Sequence, residues 1–243
     1  MSGRQDSTVD GGGAAPVDGA PAHADRTDGG PGDVAAAVGV GPWPGGPAAW
    51  PTDERYDPEL LADGDRRNVV DRYRYWSVEA ILADVDTRRH PLHVAIENFA
   101  HDMNIGSVVR TANAFAVAGV HVVGRRRWNR RGAMVTDRYL HLHHHDDVAG
   151  LLAWAAERGL AVVGVDNVDG SVPIEHRSLP RECMLLFGQE STGLSAEARA
   201  QCAEIVHITQ YGSTRSINAG AAAAIAMHAW MLQHAAPEPP PAA

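Results

Sequence analysis

Three stretches of this 243-residue chain combine amide, carboxylate, guanidinium and glycine groups at spacings that could do chemistry. The first is Asn98-Phe-Ala-His-Asp-Met-Asn104-Ile-Gly106-Ser-Val-Val-Arg110. It runs from an apolar strand end through a loop into a helix. Asn104 stands where a side chain caps a helix or faces a ligand, and Arg110 falls opposite the apolar stripe of Ile105, Val108, Val109, Ala112 and Ala116. Taken alone, a capped helix with one exposed arginine explains it equally well. The second is Leu186-Phe-Gly188-Gln-Glu190-Ser-Thr-Gly193-Leu194-Ser195, a buried strand opening into a glycine-flanked turn with one carboxylate. Glycine lets backbone approach a ligand closely, and open parallel sheets bind ligands at the carboxyl ends of their strands. An ordinary strand-to-helix turn is the plainer account. The third is Ile208-Thr-Gln-Tyr-Gly212-Ser-Thr-Arg215-Ser216-Ile217-Asn218. Ser216 and Asn218 stand at the start of a helix, where amides and side chains can hold polar ligand groups. That helix is apolar on nearly every side from Ala219 to Met227, which predicts burial all round, against the core or a second subunit.

Two clusters lie outside these stretches. Arg125, Arg126, Arg127, Arg130 and Arg131 surround Trp128, and arginines with an aromatic ring grip phosphate and stack on bases. The formal net charge of -9 argues against nucleic acid, yet the N-terminal tail is acidic and positive charge is concentrated here. His141, His143, His144 and His145 suggest a metal, but no carboxylate or cysteine completes a known ligand spacing, so no metal is expected. The two cysteines, Cys183 and Cys202, fit a reduced cytoplasmic setting without structural zinc. No strongly apolar run is long enough to span a membrane.

The elements that must position these groups alternate along the chain. Strands are expected over Leu92–Phe99, Val120–Gly124, Tyr139–His144, Leu160–Val165, Met184–Phe187 and Ile205–Ile208. Helices are expected over Ile105–Val117 (capped by Asn104 and ended by Gly119), Asp147–Arg158, after a Ser195 cap, and Ser216–Gln233. Such alternation implies an α/β fold with a parallel sheet covered on both faces. Residues 1–50, rich in Gly, Ala, Pro and Asp, and the tail 235–243 read as disordered, with a short helical extension at 51–91 and one domain at 92–234. No G-x-G-x-x-G appears, which weighs against a nicotinamide or flavin enzyme.

In this order and at these separations, the three stretches resemble the SpoU/TrmH family of SPOUT methyltransferases. The family pattern falls on Asn98, Asn104, Gly106, Arg110, Phe187, Gly188, Glu190, Gly193, Leu194, Ser216, Ile217 and Asn218, and the resemblance covers about Leu92 to Leu232. Asp102 stands where the family often has proline, Thr209-Gln210 replaces the Pro-Met of an Ile-Pro-Met element, and Ile217 replaces leucine. The resemblance implies a C-terminal trefoil knot, rare among proteins. It also implies a homodimer with active sites at the subunit interface and S-adenosylmethionine as cofactor. The implied activity is methyl transfer to a ribose 2'-hydroxyl of tRNA or rRNA, with no DNA and no membrane partner. By position it assigns Gly188, Ile208 and Ile217 to the cofactor, and Asn104, Arg110, Glu190, Ser216 and Asn218 to the reacting groups. Arg110 suits an electrostatic clamp on phosphate and incipient alkoxide better than a base, because guanidinium stays protonated. A non-catalytic RNA-binding protein of the same fold is the alternative.

Overall fold

The computed structural model describes residues 39–97, 102–128, 130–189 and 192–235. Seven strands form one wholly parallel sheet: β1 (His90–Glu97), β2 (Val117–Val123), β3 (Leu142–His145), β4 (Ala161–Val165), β5 (Val172–Pro173), β6 (Cys183–Phe187) and β7 (Glu204–His207). Their spatial order is β3-β2-β1-β6-β4-β7-β5. The central β1 therefore lies between β2 and β6, and Ile96 pairs with both Val122 and Phe187. Burial on both faces explains why β1, β2, β4 and β6 read as nearly continuous Val, Ile and Leu runs.

Among the described residues six α-helices accompany the sheet: α1 (Pro58–Asp63), α2 (Val78–Asp86), α3 (Asp102–Ala114), α4 (Val148–Glu157), α5 (Ala196–Gln201) and α6 (Ala219–His234). On one face α3 and α6 pack with Val94, Ile96, Val120 and Leu185 in the larger core. On the other, α4 and α5 cover Ala95, Val123, Met184 and Leu186. Asp57, Ser77, Asp147 and Ser195 cap α1, α2, α4 and α5 by accepting backbone N–H bonds, as residues of these types do.

Several expected boundaries move. The first strand starts at His90 rather than Leu92 and is described as far as Glu97, its expected end at Phe99 lying outside the described residues. Helix α3 begins two residues before Asn104, so Asn104 lies inside the helix and does not cap it. That helix ends at Ala114, and Ala116 (φ 46°) turns the chain directly into β2, leaving Gly119 within a strand. Tyr139 belongs to a buried 3-10 turn, Thr136–Tyr139, and the strand starts only at Leu142. The last strand stops at His207, before Ile208. Helix α6 begins at Ala219 with Asn218 as its cap, not at Ser216. It is not buried all round: Ala221, Ile225, His228 and Leu232 form an exposed stripe, Leu232 at 74%. The two-residue edge strand β5 had no sequence signal, and its Pro173 suits an edge.

The stretch from Gly39 to Trp50, compositionally part of the tail, carries ordered contacts. Val40 bridges Asp65, and the Trp43 ring stands edge-on to Tyr56 and Tyr75. Asp65 is fully buried, with both oxygens bonded to Arg67 and one also accepting from the Tyr75 backbone. A backbone bridge at Val40, the Tyr75 hydroxyl donating to the Gly41 carbonyl and the Trp43 ring tie down a segment whose average composition is that of a flexible chain.

Candidate active site

A pocket of about 760 Å³ opens at the carboxyl ends of β4, β6 and β7, bounded by the start of α6. This is where an open parallel sheet places a ligand, and the size suits a nucleoside carrying a further group. Its apolar wall comes from Val165, Phe187, Ile208, Ala219 and Ala222, and its polar groups include Asp166, Gln210, Arg215, Ser216 and Asn218. Gly188, Ile208, Ser216, Ile217 and Asn218, each expected at a ligand site from sequence, all line it.

Side-chain bonds to distant backbone hold the second and third stretches in place. Glu97, buried at the end of β1, accepts from the Ser195 backbone at 2.9 Å. Asp166, just past β4, accepts from the Leu194 backbone at 2.8 Å. Gln189 and Gly193 exchange two backbone bonds across the turn between them. Gly193 takes φ +67°, and a Cβ on Gly188 would lie 2.1 Å from the Gly193 carbonyl carbon. The turn closes only because residue 188 has no side chain. Sequence reasoning passed over Glu97 and Asp166; a carboxylate at the carboxyl end of a buried strand was the signal available for both.

The first stretch joins the third through one side-chain pair. Asn218 Nδ2 donates to Asn104 Oδ1 at 2.9 Å, while Asn218 Oδ1 accepts from the Gly220 and Ala221 backbone and caps α6. Small residues make this crossing possible. A Cβ on Gly220 would stand 3.2 Å from Ser107 Cβ, and one on Gly106 would stand 2.7 Å from Gly132. Gly106 thus seats α3 against the 3-10 turn Arg130–Ala133 of the arginine-rich loop.

Arg110 is exposed on α3 and does not line the pocket. Asn98 and Glu190 lie outside the described residues. In the arginine-rich loop Arg125, Arg126 and Arg127 are exposed, and Arg130 pairs with the buried Asp137 at 3.2 Å. Arg131 is likewise exposed but takes part in a further interaction. Trp128 is half-buried, packed on the larger core, with Arg130 5.8 Å from its ring. Its indole has a structural task that sequence reasoning did not foresee.

The histidines form a ladder on the α4 side of the sheet. His93 bonds His121 at 3.0 Å, His121 bonds His145 at 2.9 Å, and His143 stacks on His121 against Trp154. Burial, with the charges of His143 and Arg158, pushes His93 down to about 4. Burial, with His143, His93 and His145, pushes His121 down to about 2. Among the described residues no three His, Cys, Asp or Glu side chains are grouped to hold a metal.

Residues 91–228 match the model of the SpoU rRNA Methylase family. An uncharacterised tRNA/rRNA methyltransferase of Mycolicibacterium vanbaalenii is 31% identical over 179 residues, 69% of this chain and 56% of that protein. The tRNA (guanosine(18)-2'-O)-methyltransferase of Escherichia coli is 26% identical over 153 residues, 61% of this chain and 67% of that protein. Among solved structures, the SpoU methyltransferase AviRb of Streptomyces viridochromogenes in complex with the cofactor AdoMet aligns with a TM-score of 0.56. It is 25% identical, over 63% of this chain and 64% of that one. The match thus spans little more than half the length of the mycobacterial-type relatives. The matched region runs from the start of β1 well into α6 and takes in all seven strands, and by it the chain belongs to the SpoU rRNA methylase family.

Proposed function

We propose that this protein transfers a methyl group from S-adenosylmethionine to a ribose 2'-hydroxyl of tRNA or rRNA. The observation that carries the reading is one pocket lined jointly by the second and third stretches, with Gly188, Ile208 and Ile217 all among its lining residues. The residues fit the cofactor: a flat base needs apolar walls, which Val165, Phe187 and Ile208 supply, and an amino-acid end needs charged and polar partners, which Arg215, Ser216 and Asn218 supply. When bound, the cofactor brings an electrophilic sulfonium methyl. The protein's share is positioning and electrostatics. Asn218 and Asn104, bonded to each other, fix the start of α6 relative to α3. Arg110 clamps the substrate phosphate and the developing alkoxide, remaining charged throughout. Glu190 orients an arginine or another polar group. The proton leaves to a phosphate oxygen or water.

The active species is a homodimer in this reading. The exposed apolar stripe of α6 continues into a groove of about 790 Å³ lined by Val70, Phe115, His228, Met231 and Leu232, a surface that a second copy would cover. Arg110 stands outside the pocket of its own chain, as a group completing a site across an interface would. RNA is held by Arg125, Arg126, Arg127, Arg130 and Arg131, with Trp128 framing the loop. The knot implied by the resemblance belongs to the same proposal, supported by α6 returning against α3 and β6.

The test is transfer of labelled methyl from S-adenosylmethionine to bulk tRNA and rRNA, with the product mapped as a 2'-O-methylnucleotide. Arg110→Ala should lower transfer by about 10²-fold or more, as loss of an oxyanion-stabilising donor does, while leaving cofactor affinity unchanged. Activity within a few-fold of the parent would remove Arg110 from the mechanism. Sedimentation at micromolar concentration should show a dimer, and an active monomer would overturn the interface.

A further inference from the structure

The loop between β7 and α6 contains a polar atom that the protein itself does not satisfy. Gln210 Oε1 is buried and has no hydrogen-bond partner, and Gln210 lines the pocket. A buried carbonyl oxygen without a partner costs on the order of 1–3 kcal/mol, so an unsatisfied carboxamide on a residue that lines open volume is poised to turn towards a ligand that enters it. The residue before it is fixed in place. The Thr209 backbone N–H donates to one oxygen of Glu175 at 3.0 Å, and Thr209 Oγ1 donates to the other at 3.1 Å. Glu175 is held below the usual carboxylate range: burial works against this, but bonds from its own backbone and from Thr209 outweigh it. A charged carboxylate therefore grips the backbone directly ahead of Gln210.

The geometry points to Gln210 as the residue that reads the base of the bound cofactor, through its carboxamide and the amino-bearing edge of adenine. This rests on the cofactor assignment proposed above. A carboxamide offers one acceptor and one donor side by side, and adenine offers the complementary pair, its exocyclic amino group and an adjacent ring nitrogen. On the edge of the base that carries N7, adenine offers a donor and an acceptor whereas hypoxanthine offers two acceptors, so no turn of the amide satisfies both groups of the analogue. The other polar groups of the ligand have better partners in the same pocket. A carboxylate is met by the guanidinium of Arg215, and hydroxyls by Ser216 and Asn218. The apolar surfaces of Ile208 and Phe187 beside Gln210 suit the faces of a purine.

The experiment is calorimetric binding of two probes that differ only at the base. These are S-adenosylhomocysteine and S-inosylhomocysteine, in which the amino donor becomes a carbonyl acceptor. The wild-type protein should bind the adenosyl compound tighter by about tenfold or more, since a site built for a donor rejects the analogue lacking it. In Gln210→Met and Gln210→Leu that ratio should collapse towards one, with the loss falling on the adenosyl compound. Thermal melting checks that both variants are folded. Equal binding of the two probes by wild-type protein overturns the proposal without any variant, and so does a variant that keeps the wild-type ratio. If wild-type protein binds neither probe, the cofactor assignment itself fails, which is a different result from loss of base discrimination.

Discussion

The two halves of the sheet carry polar clusters of opposite kinds. At the carboxyl ends of β1 and β4, Glu97 and Asp166 accept from the backbone of Ser195 and Leu194, while Asn218 at the start of α6 bonds the Asn104 side chain, and Asp166 and Asn218 line an open pocket. On β1, β2 and β3, His93, His121 and His145 bond chiefly to each other beneath Trp154, and they enclose nothing. The histidines are far more conspicuous in the sequence. Density of chemically capable side chains is thus a poor guide to a site. The better guide is a residue that lines a pocket and carries a polar atom left without a protein partner, as Gln210 does.

The contrast yields five expectations, taken from the largest effect down. Gly188→Ala places a methyl group 2.1 Å from backbone and must open the turn that frames the pocket. It should cost about 3 kcal/mol or more and abolish binding of S-adenosylhomocysteine, read by melting and calorimetry. Acid should act on the other cluster. His93 and His121 have folded values below the ordinary 6.5, so the unfolded chain takes up protons first as pH falls. Stability should be level above about pH 6.5 and fall below it, by up to ~1.4 kcal/mol per pH unit for each histidine, continuing to about 4 for His93. Urea midpoints between pH 7.5 and 4.5 would show this, and His93→Leu should flatten the slope.

Smaller effects separate the roles of single atoms. Asn218→Ala removes both the cap of α6 and the bond to Asn104, and should cost ~2 kcal/mol, whereas Asn218→Asp keeps the capping acceptor and should cost less. Replacing Arg125, Arg127 and Arg130 together by Ala should leave cofactor affinity unchanged. It should flatten the salt dependence of RNA binding by about 0.7 to 0.9 per lost phosphate contact. An unaltered slope at every salt concentration would move the RNA footprint elsewhere. Trp128→Ala should register first as lost stability, because its ring packs on the core.

The alternating strands and helices could be read from periodicity, because burial on both sheet faces imposes runs of Val, Ile and Leu on β1, β2, β4 and β6. Termini could not, because they depend on contacts made elsewhere. Asn104 looks like a cap, but α3 starts earlier and its amide is taken by Asn218. Ser216 looks like a cap as well, yet Asn218 has the geometry. The pocket residues Gly188, Ile208 and Ile217 followed from the resemblance and lie together. Glu97, Asp166 and Glu175 went unnoticed because each acts through a partner at least 28 positions away. The exposed stripe of α6 could not be told from a buried one, since Ala, Ile and Leu look alike to either environment.

The bond between Asn104 and Asn218 joins residues 114 positions apart, and β1 pairs with β6 across a similar span. Closing such loops is entropically costly before the contacts that reward it exist, so a chain of this kind folds slowly relative to one with local pairings. The order of events follows. The hairpin-scale neighbours β1, α3 and β2 can assemble early, while the walls of the pocket remain apart until α6 docks on α3. Ligand affinity should therefore be the last property to return during refolding, lagging behind helical signal, and a brief pulse of protease before that moment should cut in the 188–218 region first.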